Sequence, residues 1–164
     1  MKLPEPLFVF INPAVLLLLK SPLHWLLSSS VMLITFKGRR SGNTFTTPVR
    51  YIEEGGVIRC FTARTNQWWR NMREPARVTL LVAGRERTCE MKAIYNEADK
   101  VRRELTKLLK RFPQDAPYYE VELGKNKEPR HGHLERAAEA TVLVEVHARI
   151  SDKDINQQCS EADA

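Results

Sequence analysis

The feature that most constrains this chain is a set of short runs that alternate apolar and polar residues, separated by turn-sized polar segments. Val78, Leu80 and Val82 share one face of one run. Cys89, Met91 and Ala93 share a face of the next, against Thr88, Glu90 and Lys92, and Val142, Val144, Val146 and Ala148 repeat the pattern near the C-terminus. Successive strand side chains point to opposite faces, so each run reads as a half-buried strand. Residues 31–37 read as a further strand, followed by a charged, glycine-bounded turn over 38–43. Residues 44–53 come next, with Phe45, Thr47, Val49 and Tyr51 on one face. Pro48 cannot donate to a ladder and argues for an edge or bulge there, where backbone is left free to meet a ligand. Glu54, Gly55 and Gly56 turn the chain into a strand over 57–63, and residues 83–85 join the two central runs.

Between these strands only one strong amphipathic helix is evident. Asn96 stands as its cap, Ala98, Val101, Leu105, Leu108, Leu109 and Phe112 fall on one side, and Pro113 ends it. Residues 65–73 have helical character, with Asn66 as the expected cap before Trp68 and Trp69. Residues 113–133, polar and carrying Pro117 and Pro129, read as a long loop or lid. Five or six hairpin-linked strands with few parallel crossovers predict a mainly β, α+β fold, a small antiparallel barrel with helices at its ends. A chain of 164 residues, 43% hydrophobic and 28% charged, fits one globular domain, here residues 1–150 with a flexible tail over 151–164.

Residues 7–36 are the most apolar stretch, but Asn12, Pro13, Lys20, Pro22 and His24 interrupt it before a spanning length accumulates. It lacks the basic start and cleavage site of a secretory signal. A helix over 13–27, broken at Pro22, is expected. Two readings stay open: a helix lying across the core, or a peripheral membrane contact with Lys20 and His24 at headgroup level. Cys60, Cys89 and Cys159 are odd in number and lack ligand spacing, which fits a reducing cytoplasm.

The net charge of +6 favours anionic partners without choosing among nucleic acid, membrane and phosphorylated small molecules. Nucleic acid has the least support, since no helix-turn-helix, RRM or zinc motif is present and the basic residues look dispersed along the chain. Neither a dinucleotide-binding glycine fingerprint nor a P-loop occurs, and no aspartate is placed to orient a Ser-His pair. His131-Gly132-His133 has no accompanying ligand cluster, so no metal site is expected. Gly38-Arg39-Arg40-Ser41-Gly42 is the densest anion-binding run, where two guanidiniums, a hydroxyl and backbone N–H groups can converge on phosphate oxygens. In Trp68-Trp69-Arg70-Asn71 the adjacent indoles point about 100° apart on a helix, so one must face away from the core.

The run from Thr35 to Gly42, then Thr46-Thr47-Pro48-Val49 with Tyr51, the Gly55-Gly56 hairpin, and Trp68-Trp69-Arg70-Asn71-Met72 together resemble the deazaflavin-dependent nitroreductase family. Its members are split β-barrels related to the flavin-binding pyridoxamine-phosphate-oxidase-like proteins, and the resemblance covers roughly residues 14–149. It implies a reductase that passes a hydride from coenzyme F420 to an electron-poor acceptor such as a quinone or nitro compound. By position, Arg39, Arg40, Ser41 and Gly42 would bind the coenzyme's phosphate and acidic tail. Thr47, Pro48 and Val49 would lie against its ring, and Trp68 and Asn71 would close the pocket. Relatives carry a longer glycine-rich loop with a lysine before the tryptophan; here Arg64 would take over that charge, and the shortened loop leaves FMN as the alternative cofactor. The cofactor would supply the reactive atom, so no catalytic side chain is expected. Tyr118 and Tyr119 in the lid would meet the substrate. A non-catalytic carrier of flavin, haem or lipid is the competing reading, and related barrels pair through strand edges, which makes a homodimer an expectation.

Overall fold

The computed structural model describes residues 30–126 and 128–149. The helix expected over 13–27 and the tail over 151–164 lie outside the described residues. Six strands form: β1 Val31–Lys37, β2 Thr44–Glu54, β3 Val57–Ala63, β4 Ala76–Val82, β5 Arg85–Ile94 and β6 Thr141–Arg149. They close into an antiparallel barrel in the order β1-β2-β3-β6-β5-β4, with β4 returning to β1. The last strand fills the gap between β3 and β5. With its flanking helices this is the α+β antiparallel barrel that the alternation predicted, and it agrees with the split barrel that the resemblance implied.

The alternation has its reason in two cores. Met32, Ile34, Val49, Tyr51, Cys60, Leu80, Met91 and Val144 fill the barrel interior. From the outer face Ile52, Phe61, Ile94 and Leu143 meet Val101, Leu105, Leu108 and Leu109 of α1, Ala98–Arg111. A second helix, α2, spans His131–Ala140 and adds Leu134, Ala137 and Ala138 to that outer core. Arg59 on β3 sits 3.1 Å from Glu145 on β6 and 3.7 Å from Glu104, and Lys100 reaches Glu145 at 2.6 Å. These charges tie α1 to the sheet where its apolar stripe ends.

Both tight hairpins use two-residue loops with positive φ at each position: Gly55 (59°) and Gly56 (75°), then Ala83 (49°) and Gly84 (73°). That twist matches the right-handed twist of the flanking strands. At Pro48 the barrel behaves as the proline predicts. β2 pairs with β1 from Thr44 to Arg50, but its ladder with β3 covers only Tyr51–Glu54. Among the described residues, β2 over 44–50 is therefore paired on one side, and the barrel is split there.

Three local expectations need correction. The residue preceding α1 is Glu97, not Asn96, and it makes no side-chain capping bond. The turn at Trp68–Met72 is a short 3-10 helix preceded by Gln67, while Asn66 instead donates from Nδ2 to Thr62 Oγ1 at 2.8 Å. Residues 113–133 are not one loop: Pro113–Tyr119 form a 3-10 helix, Leu123 bridges Pro129, and α2 begins at His131. Pro113 suits the first helical position because its missing N–H would be unsatisfied there anyway.

Leu105, fully buried between α1 and the sheet, tests the outer core. Leu105→Ala is expected to lower the free energy of unfolding by about 2–5 kcal/mol, read from a shift in the denaturant midpoint, since the cavity adds to the lost transfer energy.

Candidate functional site

One end of the barrel, its mouth, gathers the β1–β2 turn, the segment after β3 and the end of β5. Trp69 is 3% exposed and packs into the barrel interior beside Met72. Its Nε1 donates to the Arg64 carbonyl at 3.2 Å, and its ring lies 5.2 Å from that of Tyr95. Trp68, next in the chain, covers the rim instead. Its Nε1 donates to Thr62 Oγ1 at 3.1 Å and its ring stands 6.3 Å from Phe36. Phe36 in turn stacks on Phe45 at 5.8 Å. A row of three aromatic rings thus forms at the mouth, with Phe36 buried in the middle, Trp68 half-buried and Phe45 46% exposed at its end.

The turn between β1 and β2 is closed by Gly38 N–H to the Asn43 carbonyl and Gly42 N–H to the Gly38 carbonyl, both 2.8 Å. Gly42 takes φ +68°, and Ser41 Oγ accepts the Asn43 N–H at 3.2 Å. A Cβ on Gly38 would stand 2.8 Å from both Phe45 Cε2 and Ser41 Oγ, so glycine lets the turn fold down onto the aromatic row. Asn71 then fastens the turn to the 3-10 helix: its Oδ1 accepts the Arg39 N–H at 3.0 Å while its Nδ2 donates to the Trp68 carbonyl at 2.9 Å. The Arg39 and Arg40 side chains are exposed and meet no carboxylate among the described residues.

The residues singled out from the sequence divide in two. Arg39, Arg40, Ser41 and Gly42 come together with Trp68 and Asn71 at the mouth, although the Asn71 amide is engaged in holding the turn. Thr47, Pro48 and Val49 lie on the singly paired stretch of β2, opposite Ile34, Leu33 and Met32. Val49 faces the barrel interior and Pro48 the outer side. Arg64 donates from its guanidinium to the Tyr95 carbonyl, clipping the segment after β3 to the end of β5.

Tyr118 and Tyr119 are not brought to this place. The 14 residues of α1 carry the chain about 20 Å along the barrel, at 1.5 Å per residue, before the lid begins. There Arg50 pairs with Asp115 and covers the Phe112 ring at 4.6 Å, and Tyr119 packs on the outer core. Burial pushes both phenols above their ordinary range, so they remain neutral hydrogen-bonding groups at physiological pH. Burial also pushes the Asp115 carboxyl up, against the pull of Arg50. A cleft of about 650 Å³ opens beside them, lined by Ala116, Pro117, Val121, Leu123 and His133 among others.

The alternating pattern placed Phe36 and Phe45 in strands but gave no sign that they end at an open lip. Thr62, the acceptor shared by Asn66 and Trp68, also escaped notice. Buried, Cys60 has its thiol pushed well above the usual range and is inert packing. Among the described residues no cluster of His, Cys, Asp or Glu could hold a metal ion, and no helix is long and apolar enough to cross a membrane.

No family model and no curated protein matches the chain. Solved structures do resemble it in fold. A protein of unknown function from Agrobacterium tumefaciens superposes with a TM-score of 0.53 at 15% identity, over 83% of this chain. This chain spans only 61% of that protein's length. An FAD and haem binding protein from Mycobacterium smegmatis gives a TM-score of 0.48 at 14% identity, over 84% of this chain and 78% of that one. An F420-H2 dependent reductase gives 0.45 at 17% identity, over 70% and 92% respectively. At such identities the likeness is one of fold.

Asn71→Ala removes both bonds of the bridging amide. The Arg39 amide is expected to lose its hydrogen-exchange protection at least about 10-fold, the equivalent of one hydrogen bond of about 1.4 kcal/mol, while the barrel strands keep theirs. Unchanged protection at Arg39 would mean that the turn holds its shape without the bridge.

Proposed function

We propose that the protein is a reductase that binds coenzyme F420 at the mouth of the barrel and reduces an electron-poor organic acceptor, a quinone or a nitro compound. The observation that carries this reading is the fastening of an arginine-bearing turn, through Asn71, to the helix that sets Trp68 on the rim. Two guanidiniums without carboxylate partners among the described residues stand beside the exposed Phe45 ring, the half-buried Trp68 and a strand edge split open at Pro48. A flat ring carrying an anionic handle needs that combination: apolar surface for the ring and charge-assisted donors for the phosphate.

When bound in its reduced form, such a coenzyme supplies a hydride, and a quinone that accepts it takes one more proton from solvent to leave as the hydroquinone. Everything else falls to the chain. Arg39 and Arg40 would grip the phosphate and acidic tail, with Ser41 and the N–H groups of the Gly42 turn beside them. Phe45 and Trp68 would offer ring faces, backed by the buried Phe36, and Thr47 to Val49 would form the floor along the open edge of β2. None of these groups has to move a proton.

Purified protein is expected to bind oxidised F420 and to turn over reduced F420 with menadione, followed by the change in coenzyme absorbance. Arg39→Ala with Arg40→Ala should weaken binding about 10- to 100-fold, at about 1 kcal/mol per exposed charge-assisted contact, with the gap narrowing as salt rises. The circular dichroism spectrum should stay unchanged. Binding without turnover would make the protein a carrier. Preference for FMN would change the cofactor, and equal affinity in the double variant would remove the arginine turn from the site.

A further inference from the structure

The mouth holds a second pair of guanidiniums that the coenzyme reading does not use. Arg70 and Arg73 place their Cζ atoms 5.8 Å and 5.7 Å from the centre of the Trp69 ring, and Arg73 lies 5.9 Å from that of Tyr95. Both guanidiniums therefore lie against one buried ring, which is fixed by the Trp69 Nε1 bond to the Arg64 carbonyl and by the Tyr95 ring. Side chains held this way have less freedom to lose when a ligand arrives. Arg50, Arg59, Arg87, Arg102 and Arg130 each meet a carboxylate. No carboxylate among the described residues pairs with Arg70 or Arg73. Asn71, between them in sequence, reaches the other way to Arg39. The two arginine pairs thus flank one short helix.

We infer that Arg70 and Arg73 form a second anion-binding site, which takes a carboxylate, sulfonate or phosphate carried by the acceptor, so that the preferred acceptor is an organic anion. This rests on the reductase reading for the word acceptor, while the anion site itself stands on the guanidinium geometry. A guanidinium matches the flat fork of a carboxylate and the oxygens of a sulfonate, and two that share one ring concentrate that chemistry in one place. The same chemistry is present in the acidic tail of the coenzyme, and the experiment separates these sources.

Anthraquinone monosulfonate and its neutral hydroxymethyl analogue are titrated against the full-length protein without coenzyme, followed by quenching of tryptophan fluorescence at low and high salt. The sulfonate is expected to bind about 10-fold tighter or better at low salt, as one charged hydrogen-bonding contact would give, and to lose most of that preference at high salt. Arg70→Gln with Arg73→Gln, which keeps a polar side chain but removes the charge, should bring the two ligands to parity. Arg70→Lys with Arg73→Lys should restore part of the preference, and Arg39→Ala with Arg40→Ala, which removes whatever sulfonate the empty coenzyme place takes, should leave a preference that the glutamine changes then abolish. Absence of preference in the unaltered protein, or a preference abolished only by the Arg39 and Arg40 changes, overturns the site. Loss of F420 affinity in the glutamine variant with the sulfonate preference unaffected assigns the pair to the coenzyme's tail and overturns the acceptor claim. Failure of reduced F420 to reduce either quinone, with the sulfonate preference and its loss in the glutamine variant as expected, defeats the reductase reading and leaves the anion site standing.

Discussion

A six-stranded barrel is only as sound as its ends, and at the mouth the seal is Trp69. Its indole fills the interior beside Met72, both nearly or fully buried, and its one polar atom finds the Arg64 carbonyl. An indole buried this deeply with its N–H unpaired would forfeit about 1–3 kcal/mol, so the carbonyl partner matters as much as the fit. The seal dictates what surrounds it. With Trp69 inside, Trp68 must turn to the rim, where Thr62 receives its N–H and Phe36 its face. Asn71 then lies within reach of the β1–β2 turn, and Arg70 and Arg73 lie over the sealed ring.

A second constraint comes from Pro48. The proline leaves β2 bound to β3 only from Tyr51 onward, so the strand that forms one wall of the site is half free. Topology does the rest with charge. The antiparallel order sends the ends of β1, β3 and β5 and the start of β4 to the same place, so Lys37, Arg39, Arg40, Arg64, Arg70, Arg73 and Arg77 collect at the mouth. The opposite end carries Glu53, Glu54 and Glu86 together with Arg85, Arg87 and Lys107, where Arg87 meets Glu53 and Lys107 meets Glu54. The arginines of the mouth are scattered along the sequence and gathered only by the fold, and there they can draw anionic ligands toward the split.

Most of the barrel was legible because it follows one rule. Each strand must bury one face inside, and Val78, Leu80, Val82 and Val142, Val144 alternate accordingly. What escaped the sequence obeys weaker rules. The stripe of α2 is Leu134, Ala137 and Ala138, and the two alanines scarcely stand out among their charged neighbours. Asn66 and Asn96 looked like caps by residue type, but Thr62 offered Asn66 an oxygen that fixes a different bond. The arginine turn and the paired tryptophans were readable as chemistry, yet their fastening through Asn71 depends on a hydrogen bond 32 residues apart in the chain, which no local pattern encodes. Tyr118 and Tyr119 show the converse: sequence spacing cannot tell at which end of a barrel a lid arrives, and α1 delivers it far from Trp68.

The central claim is that the mouth holds a flat redox molecule by its anionic handle while the rim aromatics meet its ring, and a crystal structure of the protein grown with oxidised F420 tests it most directly. The account predicts phosphate oxygens within hydrogen-bond distance of the Arg39 or Arg40 guanidinium and the ring in van der Waals contact with Trp68 or Phe45, over the open edge of β2. Coenzyme seated instead in the cleft beside Ala116 and His133, with both arginines turned to solvent, would contradict it.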